Sequence, residues 1–304
     1  MKILAFTDLH ADLIPDAESR VRLLVERAKA ERVDLILDLG DLCDPAEENR
    51  WILERLRSTG VPCLHCVGNH NADAAAPEEV LGFFGLERGF YSLRVGGVKW
   101  IVLDTNYIRT ADGRMLPFCR RNYDRSRDEY PYLPREELDW LERELADSCS
   151  DAVVLSHQSL VNGFGNRGVA NREEVRRILE THRGPGKQIL FCMNGHDHGS
   201  AVEAVRGITY YTLNSVSYLW HGKGHLSYSP ELHERYPLLK DILLYREPLH
   251  AVIQVGEHGE VHIQGMQGQY QTVTPRQLGL EDTWNGVSIR PETLSLTLDG
   301  CSRQ

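Results

Sequence analysis

Five short apolar runs in this chain end in residues of metal-binding type. Residues 2–7 lead into Asp8-Leu9-His10, residues 33–39 into Gly40-Asp41-Leu42-Cys43-Asp44, and residues 61–67 into Gly68-Asn69-His70. Residues 152–155 lead into Ser156-His157, and residues 188–193 into Asn194-Gly195-His196-Asp197-His198. Carboxylate oxygen, amide oxygen and imidazole nitrogen, with no thiolate among them, suit Mn²⁺, Fe or Zn²⁺ in five- or six-coordinate sites. The set is large enough for two ions sharing one carboxylate, and two metals about 3.5–4 Å apart can clamp a phosphate for in-line attack. Taken singly, each motif is compatible with a cap, a turn or a buried histidine. Recurrence at five strand ends is the informative feature.

Such residues need elements that deliver them to a common edge. In extended backbone, residues i and i+2 project to one side, so the spacing predicts that Asp8 converges with His10, and His196 with His198. The glycines before Asp41, Asn69 and His196 allow tight turns or close approach beside an ion. The first two-thirds of the chain alternates strand and helix patterns. Val21, Leu24, Val25 and Ala28 form a helical stripe, and Leu138, Leu141 and Leu145 mark a helix opened by Pro134. Residues 91–95 and 98–103 flank Gly96-Gly97, a hairpin signal. Residues 109–133 show no clear period and read as a long surface excursion. After His198 the pattern turns to short strands at 202–205, 208–213, 250–255 and 261–264. The expected class is therefore α/β in residues 1–216, with a β-rich extension over residues 217–304. That extension holds a possible cap segment, 217–248, and a hairpin, 250–264, packed on the core as one domain.

Composition narrows the function classes. A chain of 304 residues with 41% hydrophobic residues can bury an ample core. Its formal charge of −10 argues against a nucleic-acid partner, because phosphate backbones are gripped through clustered Lys and Arg. An acidic site can still act on phosphates once bound cations reverse its local charge. No run reaches membrane-spanning length and no signal peptide is evident, so no membrane partner is expected. Seven scattered cysteines read as reduced thiols of a cytoplasmic protein. Cys63-Leu64-His65-Cys66 has the spacing of a redox or zinc motif. In a strand, however, positions three apart point to opposite faces, which argues against that pairing.

The ordered motifs Asp8-x-His10, Gly40-Asp41-x-x-Asp44, Gly68-Asn69-His70, Ser156-His157 and Gly195-His196-x-His198 resemble the calcineurin-like metallophosphoesterase superfamily. Leu133-Pro134-Arg135-Glu136-Glu137-Leu138-Asp139-Trp140-Leu141 is similar to its class III cyclic-nucleotide phosphodiesterase and purple-acid-phosphatase-like branch. The resemblance implies a four-layer α-β-β-α sandwich with two central mixed sheets. It implies that Asp8, His10 and His198 hold one metal, that Asn69, His157 and His196 hold a second, and that Asp41 bridges them, with Mn or Fe favoured over Zn. It further implies that a metal-bridging hydroxide attacks phosphorus, that His70 contacts the phosphoryl oxygens or protonates the leaving alkoxide, and that Asp44 orients His70. The implied substrate is a small phosphodiester of cyclic-nucleotide or glycerophosphodiester type. The alternatives are a phosphomonoester, a nucleotide pyrophosphate, or a non-catalytic interaction scaffold on the same fold. Two positions depart from the family pattern: Asn71 stands where an acidic residue is frequent, and Ser159 where Pro is frequent. Asn106, His221 and His225 are further candidates for substrate contact. A homo-oligomer is compatible with the sequence.

Overall fold

In a computed structural model of the chain, described over residues 1–122, 131–148, 150–162, 168–184, 187–284 and 286–300, the elements follow the alternation read above. In chain order they are β1 (Lys2–Phe6), α1 (Ala17–Glu31), β2 (Leu35–Asp38), α2 (Arg50–Arg57), β3 (Cys63–His65), α3 (Pro77–Phe84), β4 (Tyr91–Val95), β5 (Val98–Val102), β6 (Tyr107–Arg109), β7 (Met115–Pro117), β8 (Pro131–Tyr132), α4 (Arg135–Ala146), β9 (Ala152–Ser156), α5 (Arg172–Glu180), β10 (Ile189–Asn194), β11 (Ala201–Val205), β12 (Ile208–Thr212), β13 (Tyr218–Trp220), α6 (Pro230–Arg235), β14 (Ile242–Leu244), β15 (Ala251–Val255), β16 (Val261–Gln264), β17 (Thr283–Trp284), β18 (Val287–Ser288) and β19 (Leu296–Leu298).

Two six-stranded mixed sheets form the centre, in the orders β19-β16-β15-β1-β2-β3 and β11-β12-β10-β9-β5-β4. Their central strands, β1, β2, β5, β9 and β10, are buried on both faces almost throughout, as expected where helices cover the outside. Ile3, Ala5, Leu35 and Leu37 of one sheet meet Trp100, Val102, Val153, Leu155 and Phe191 of the other in the middle core. The outer face of the first sheet packs on Val21, Leu24, Ile52, Leu53 and Val80. The outer face of the second packs on Leu138, Leu141, Val175 and Leu179. This is the four-layer α-β-β-α arrangement.

Parallel pairing sets where the motifs land. β1, β2 and β3 run parallel, as do β5, β9, β10 and β12. Parallel strands present their carboxyl ends on one side, where ligand sites of α/β sheets lie. The final third is not peripheral to these sheets: β15 pairs antiparallel with β1, and β16 and β19 extend the sheet from it. Part of the stretch read as a surface excursion is also ordered, since β6, β7 and β8 form a small sheet; residues 123–130 lie outside the described residues. No described helix is long and apolar enough to cross a membrane.

Candidate metal centre

The loops that leave the strands are threaded through one another. Asp8 N–H donates to Gly40 O at 2.9 Å, and His10 N–H to Asp41 O at 2.9 Å. His196 N–H donates to Asp8 Oδ2 at 2.9 Å, and His70 N–H to Asp41 Oδ1 at 2.8 Å. Two glycines are required by this closeness. A Cβ on Gly40, whose φ is +106°, would stand 2.5 Å from His157 Nδ1, and a Cβ on Gly195 would overlap Thr7 Oγ1.

The backbone carries strain at these positions. Asp8 (φ 54°), His10 (48°), Asp41 (56°), His196 (70°) and His198 (48°) all adopt left-handed conformations. Such conformations cost of order 1–3 kcal/mol each in non-glycine residues and persist where the surroundings over-determine them. The expected reason for convergence, alternation along extended chain, therefore does not apply. Asp8 meets His10 through left-handed turns, and His196 and His198 are sent to different groups of side chains.

One group is Asp8, His10 and His198; the other is Asp41, His157 and His196. Within each, the ligand atoms lie within 4.8 Å of one another, and all six residues are buried. In the first group His10 Nε2 is 3.2 Å from His198 Nε2, and Asp8 Oδ1 is 3.3 Å from His198 Nε2. In the second, Asp41 Oδ2 is 3.0 Å from His157 Nε2, which is 3.3 Å from His196 Nδ1. Asp41 Oδ2 also faces His10 Nε2 across 3.7 Å, so one carboxylate oxygen addresses both groups.

These donors fit metal ions. His198 Nδ1 lies 2.8 Å from Tyr218 O, and His157 Nδ1 2.8 Å from Leu39 O. A carbonyl only accepts, so both Nδ1 atoms carry hydrogen and, in the neutral rings, each Nε2 turns a lone pair inward. Asp8 Oδ1 and Asp41 Oδ2 are buried with no hydrogen bond. Nitrogen and oxygen donors about 2.1 Å from a metal are separated by about 3.0 Å at right angles and about 3.4 Å at tetrahedral angles. The separations of 3.0, 3.2 and 3.3 Å match that range, and His10 Nε2 to Asp8 Oδ1 is wider at 3.7 Å. Without such cations the site draws protons instead. Desolvation pulls the His157 imidazole down, but Asp41 outweighs it and the pKa is pushed up to about 9. The Asp41 carboxyl, in spite of desolvation, is held below its usual range by His157 and His70.

Around the two groups, an open cavity of about 890 Å³ is lined by Asn69, His70, Asp73, Arg121, Tyr218 and Trp220, among others. Asn69 faces it, its Oδ1 accepting from Gln158 Nε2 at 3.4 Å. His70 packs edge-on against the His10 ring, centroids 5.0 Å apart. The carboxylate that pairs with His70 is Asp73, 2.7 Å from Nδ1, rather than the expected Asp44. One helical turn, residues 70–72, places i and i+3 on the same side, a proximity that strand ends cannot supply. Asp44 lines the cavity instead, its carboxyl pushed up by desolvation and by Asp12 and Asp73.

The three candidates for substrate contact lie elsewhere. Asn106 is buried, and its amide is spent on Val67 O at 2.5 Å and on Gln158 Nε2 at 3.4 Å. His221 and His225 are not part of the cavity wall; their rings face each other at 4.8 Å. The strand period explains this: Tyr218 and Trp220 of β13 share the side facing the cavity, and His221 follows on the other.

Three contributors went unread in the sequence. Asp73 carried a usable signal, the His70-x-x-Asp73 spacing. Tyr218 orients His198 through its carbonyl, and its ring lies 5.2 Å from that of His10. Asn71, noted only as a departure, is fully buried. Its Oδ1 accepts from Gly68 N at 2.8 Å and Asp41 N at 3.2 Å, and its Nδ2 donates to Cys43 O at 2.9 Å. It ties two of the motif loops together.

A family model described as calcineurin-like phosphoesterase matches residues 1–200. A dimetal phosphatase from Danio rerio is similar in structure, with a TM-score of 0.63 at 15% identity, covering 90% of this chain and 99% of that one. GAP50 of Plasmodium, described as the anchor in the inner membrane complex, is similar with a TM-score of 0.54 at 13% identity, covering 87% of this chain and 83% of that one. No curated protein matches the sequence.

Proposed function

This chain belongs to the calcineurin-like phosphoesterase family, metal-dependent phosphohydrolases, and from that premise we propose that it hydrolyses a small phosphodiester at a dinuclear metal centre. The observation that carries this reading is the position of Asp41 Oδ2, between His157 Nε2 at 3.0 Å and His10 Nε2 at 3.7 Å. Asp8, His10 and His198 would hold one ion, Asn69, His157 and His196 the other, and Asp41 both. When bound, the ions supply Lewis-acid stabilisation of phosphoryl charge and an activated water. Oxygen and nitrogen donors without thiolate suit Mn, Fe or Zn, and the family resemblance favours Mn or Fe.

The protein's own groups do the rest. His70 stands at the cavity wall and delivers a proton to the departing alkoxide. With Nδ1–H directed to the Asp73 carboxylate, the tautomer is fixed and Nε2 is the nitrogen left for substrate. Desolvation would lower the His70 pKa, but Asp41 and Asp73 raise it above the ordinary value, the direction a general acid needs. Arg121, 3.0 Å from Asp73, brings a cation to the same wall. That cation supports a second reading, a nucleotide pyrophosphate or a phosphomonoester, whose extra negative charge it would meet. The scaffold reading leaves the complete donor set without a purpose.

The deciding experiment compares bis-p-nitrophenyl phosphate with p-nitrophenyl phosphate, using metal-stripped protein reloaded with Mn²⁺, with bound metal counted by mass spectrometry. Two ions per chain and preference for the diester are expected. Preference for the monoester moves the assignment to a phosphatase, and two ions without hydrolysis of either substrate removes the diesterase reading. A chain that takes up fewer than two ions overturns the dinuclear centre.

A further inference from the structure

A second constellation of reactive groups lies away from the metal centre, in the stretch Cys63-Leu64-His65-Cys66. The two cysteines do point apart: Cys66 is buried in the core between the sheets, whereas Cys63 is partly exposed and packs toward the helix-covered face. The neighbour of Cys63 on this face is His65, two residues on and on the same side of β3, while the thiol itself lies 4.0 Å from Leu64 O. His65 Nδ1 in turn lies 2.9 Å from Asp38 Oδ2, and Asp38 is the residue opposite His65 in the parallel β2–β3 register. Asp38 is itself fixed, fully buried and accepting Gly40 N–H through Oδ1 at 3.1 Å. The imidazole is clamped from the side by the Phe84 ring at 5.0 Å. Thiol, imidazole and carboxylate thus share one face of two adjacent strands. That order is the one in which a base is oriented by an acid and activates a nucleophile. The proposed hydrolysis uses none of the three.

We infer that Cys63 is a reactive thiol, a modification site for small hydroperoxides assembled by His65 and Asp38. The thiolate is the nucleophilic form of a cysteine, and an imidazole oriented by a carboxylate is the kind of base that takes a thiol proton. Desolvation opposes charge on His65, yet Cys63 and Asp38 push its pKa up to about 10, the direction that suits a ring accepting a proton from the thiol. In the reaction with hydrogen peroxide the thiolate electron pair attacks one peroxide oxygen. The S–O bond forms as the O–O bond breaks, and the departing hydroxide takes the His65 proton and leaves as water. Sulfur is oxidised by two electrons, peroxide is reduced by two, and the product is a sulfenic acid.

Cys119 is the internal control, a second partly exposed thiol whose hydrogen-bond partner among the described residues is an amide, Asn122 Nδ2 at 3.7 Å. The test treats the reduced full-length protein with hydrogen peroxide at pH 7 in the presence of a dimedone-type trap, and follows each cysteine by peptide mass spectrometry. Cys63 is expected to label about 10-fold faster than Cys119, with His65→Gln or Asp38→Asn removing the difference. Equal rates at the two cysteines overturn the assignment even if both variants fail to fold. So does a folded His65→Gln protein that labels Cys63 at the wild-type rate.

Discussion

Histidines gather in two places in this molecule, and the contrast shows what makes a metal centre. At the strand ends, four imidazoles meet two carboxylates, and His157 is driven up to about 9 by Asp41 in spite of burial. In the segment after β13, His221 and His225 stack together, and His221 is driven the other way, to about 4, by desolvation and by His225. Both places hold buried polar atoms without hydrogen bonds: Asp8 Oδ1 and Asp41 Oδ2 in the first, His221 Nε2 and His225 Nε2 in the second. The nearby carboxylate of the second, Asp241, accepts the Gly224 N–H instead. Burial alone makes an imidazole neutral; converging carboxylates make a site that demands positive charge. Among the described residues, only the first place forms groups of three donors close enough for one ion.

The contrast can be broken most severely at Asp41. Asp41→Asn should reduce hydrolysis to the level of the metal-free protein and lower the metal count below two per chain; an unchanged count would remove the bridging role. His70→Ala should keep both ions but lose about 10²–10⁴-fold in rate on a diester with a poor leaving group. Asp73→Asn should lose less on the same substrate, and Asp44→Asn less again. If Asp44→Asn were the more damaging of the two, the pairing of His70 with Asp73 would not be the working one.

Smaller effects sharpen the comparison. Asn71→Asp keeps the two accepted hydrogen bonds but turns an oxygen toward Cys43 O, 2.9 Å from the present Nδ2. It should cost about 1–3 kcal/mol, seen as a drop in Tm. The double variant His221→Ala/His225→Ala should leave metal content unchanged and activity within about 2-fold of wild type, since neither ring lines the cavity. Last, the His65–Asp38 pair should make stability depend on pH. The folded pKa is raised to about 10, so the contribution is fully present below the ordinary histidine value of about 6.5 and is lost as pH rises toward 10. The Tm gap between wild type and His65→Gln should therefore be widest near pH 6 and narrowest near pH 10. A constant gap would show that His65 acts only by packing.

Much of this was legible because the chemistry is written in residue type beside an apolar run. Asp8, Asp41, Asn69, His157, His196 and His198 each follow a buried strand, and the alternation of strands and helices pointed to an α/β fold, whose layering the family resemblance implied. Legibility failed where a contact depends on a turn or on backbone hand. Nothing in Asp8-Leu9-His10 announces a left-handed turn, and Asp44 and Asp73 are equally acidic. Asn71 looked like a substitution because its three hydrogen-bond partners lie on loops up to 30 residues away.

By itself, the sequence determined the donor set, its order along the chain and the strands that carry it, since these follow from composition and hydrophobic pattern over a few residues. Only the tertiary structure decided which donors lie close enough to share an ion, which carboxylate contacts His70, and that β15, β16 and β19 complete the first sheet. The physical reason is separation. His10 and His198 stand 188 residues apart in the chain and 3.2 Å apart in space, and a local pattern holds no information about a contact that two sheets must pack together to make.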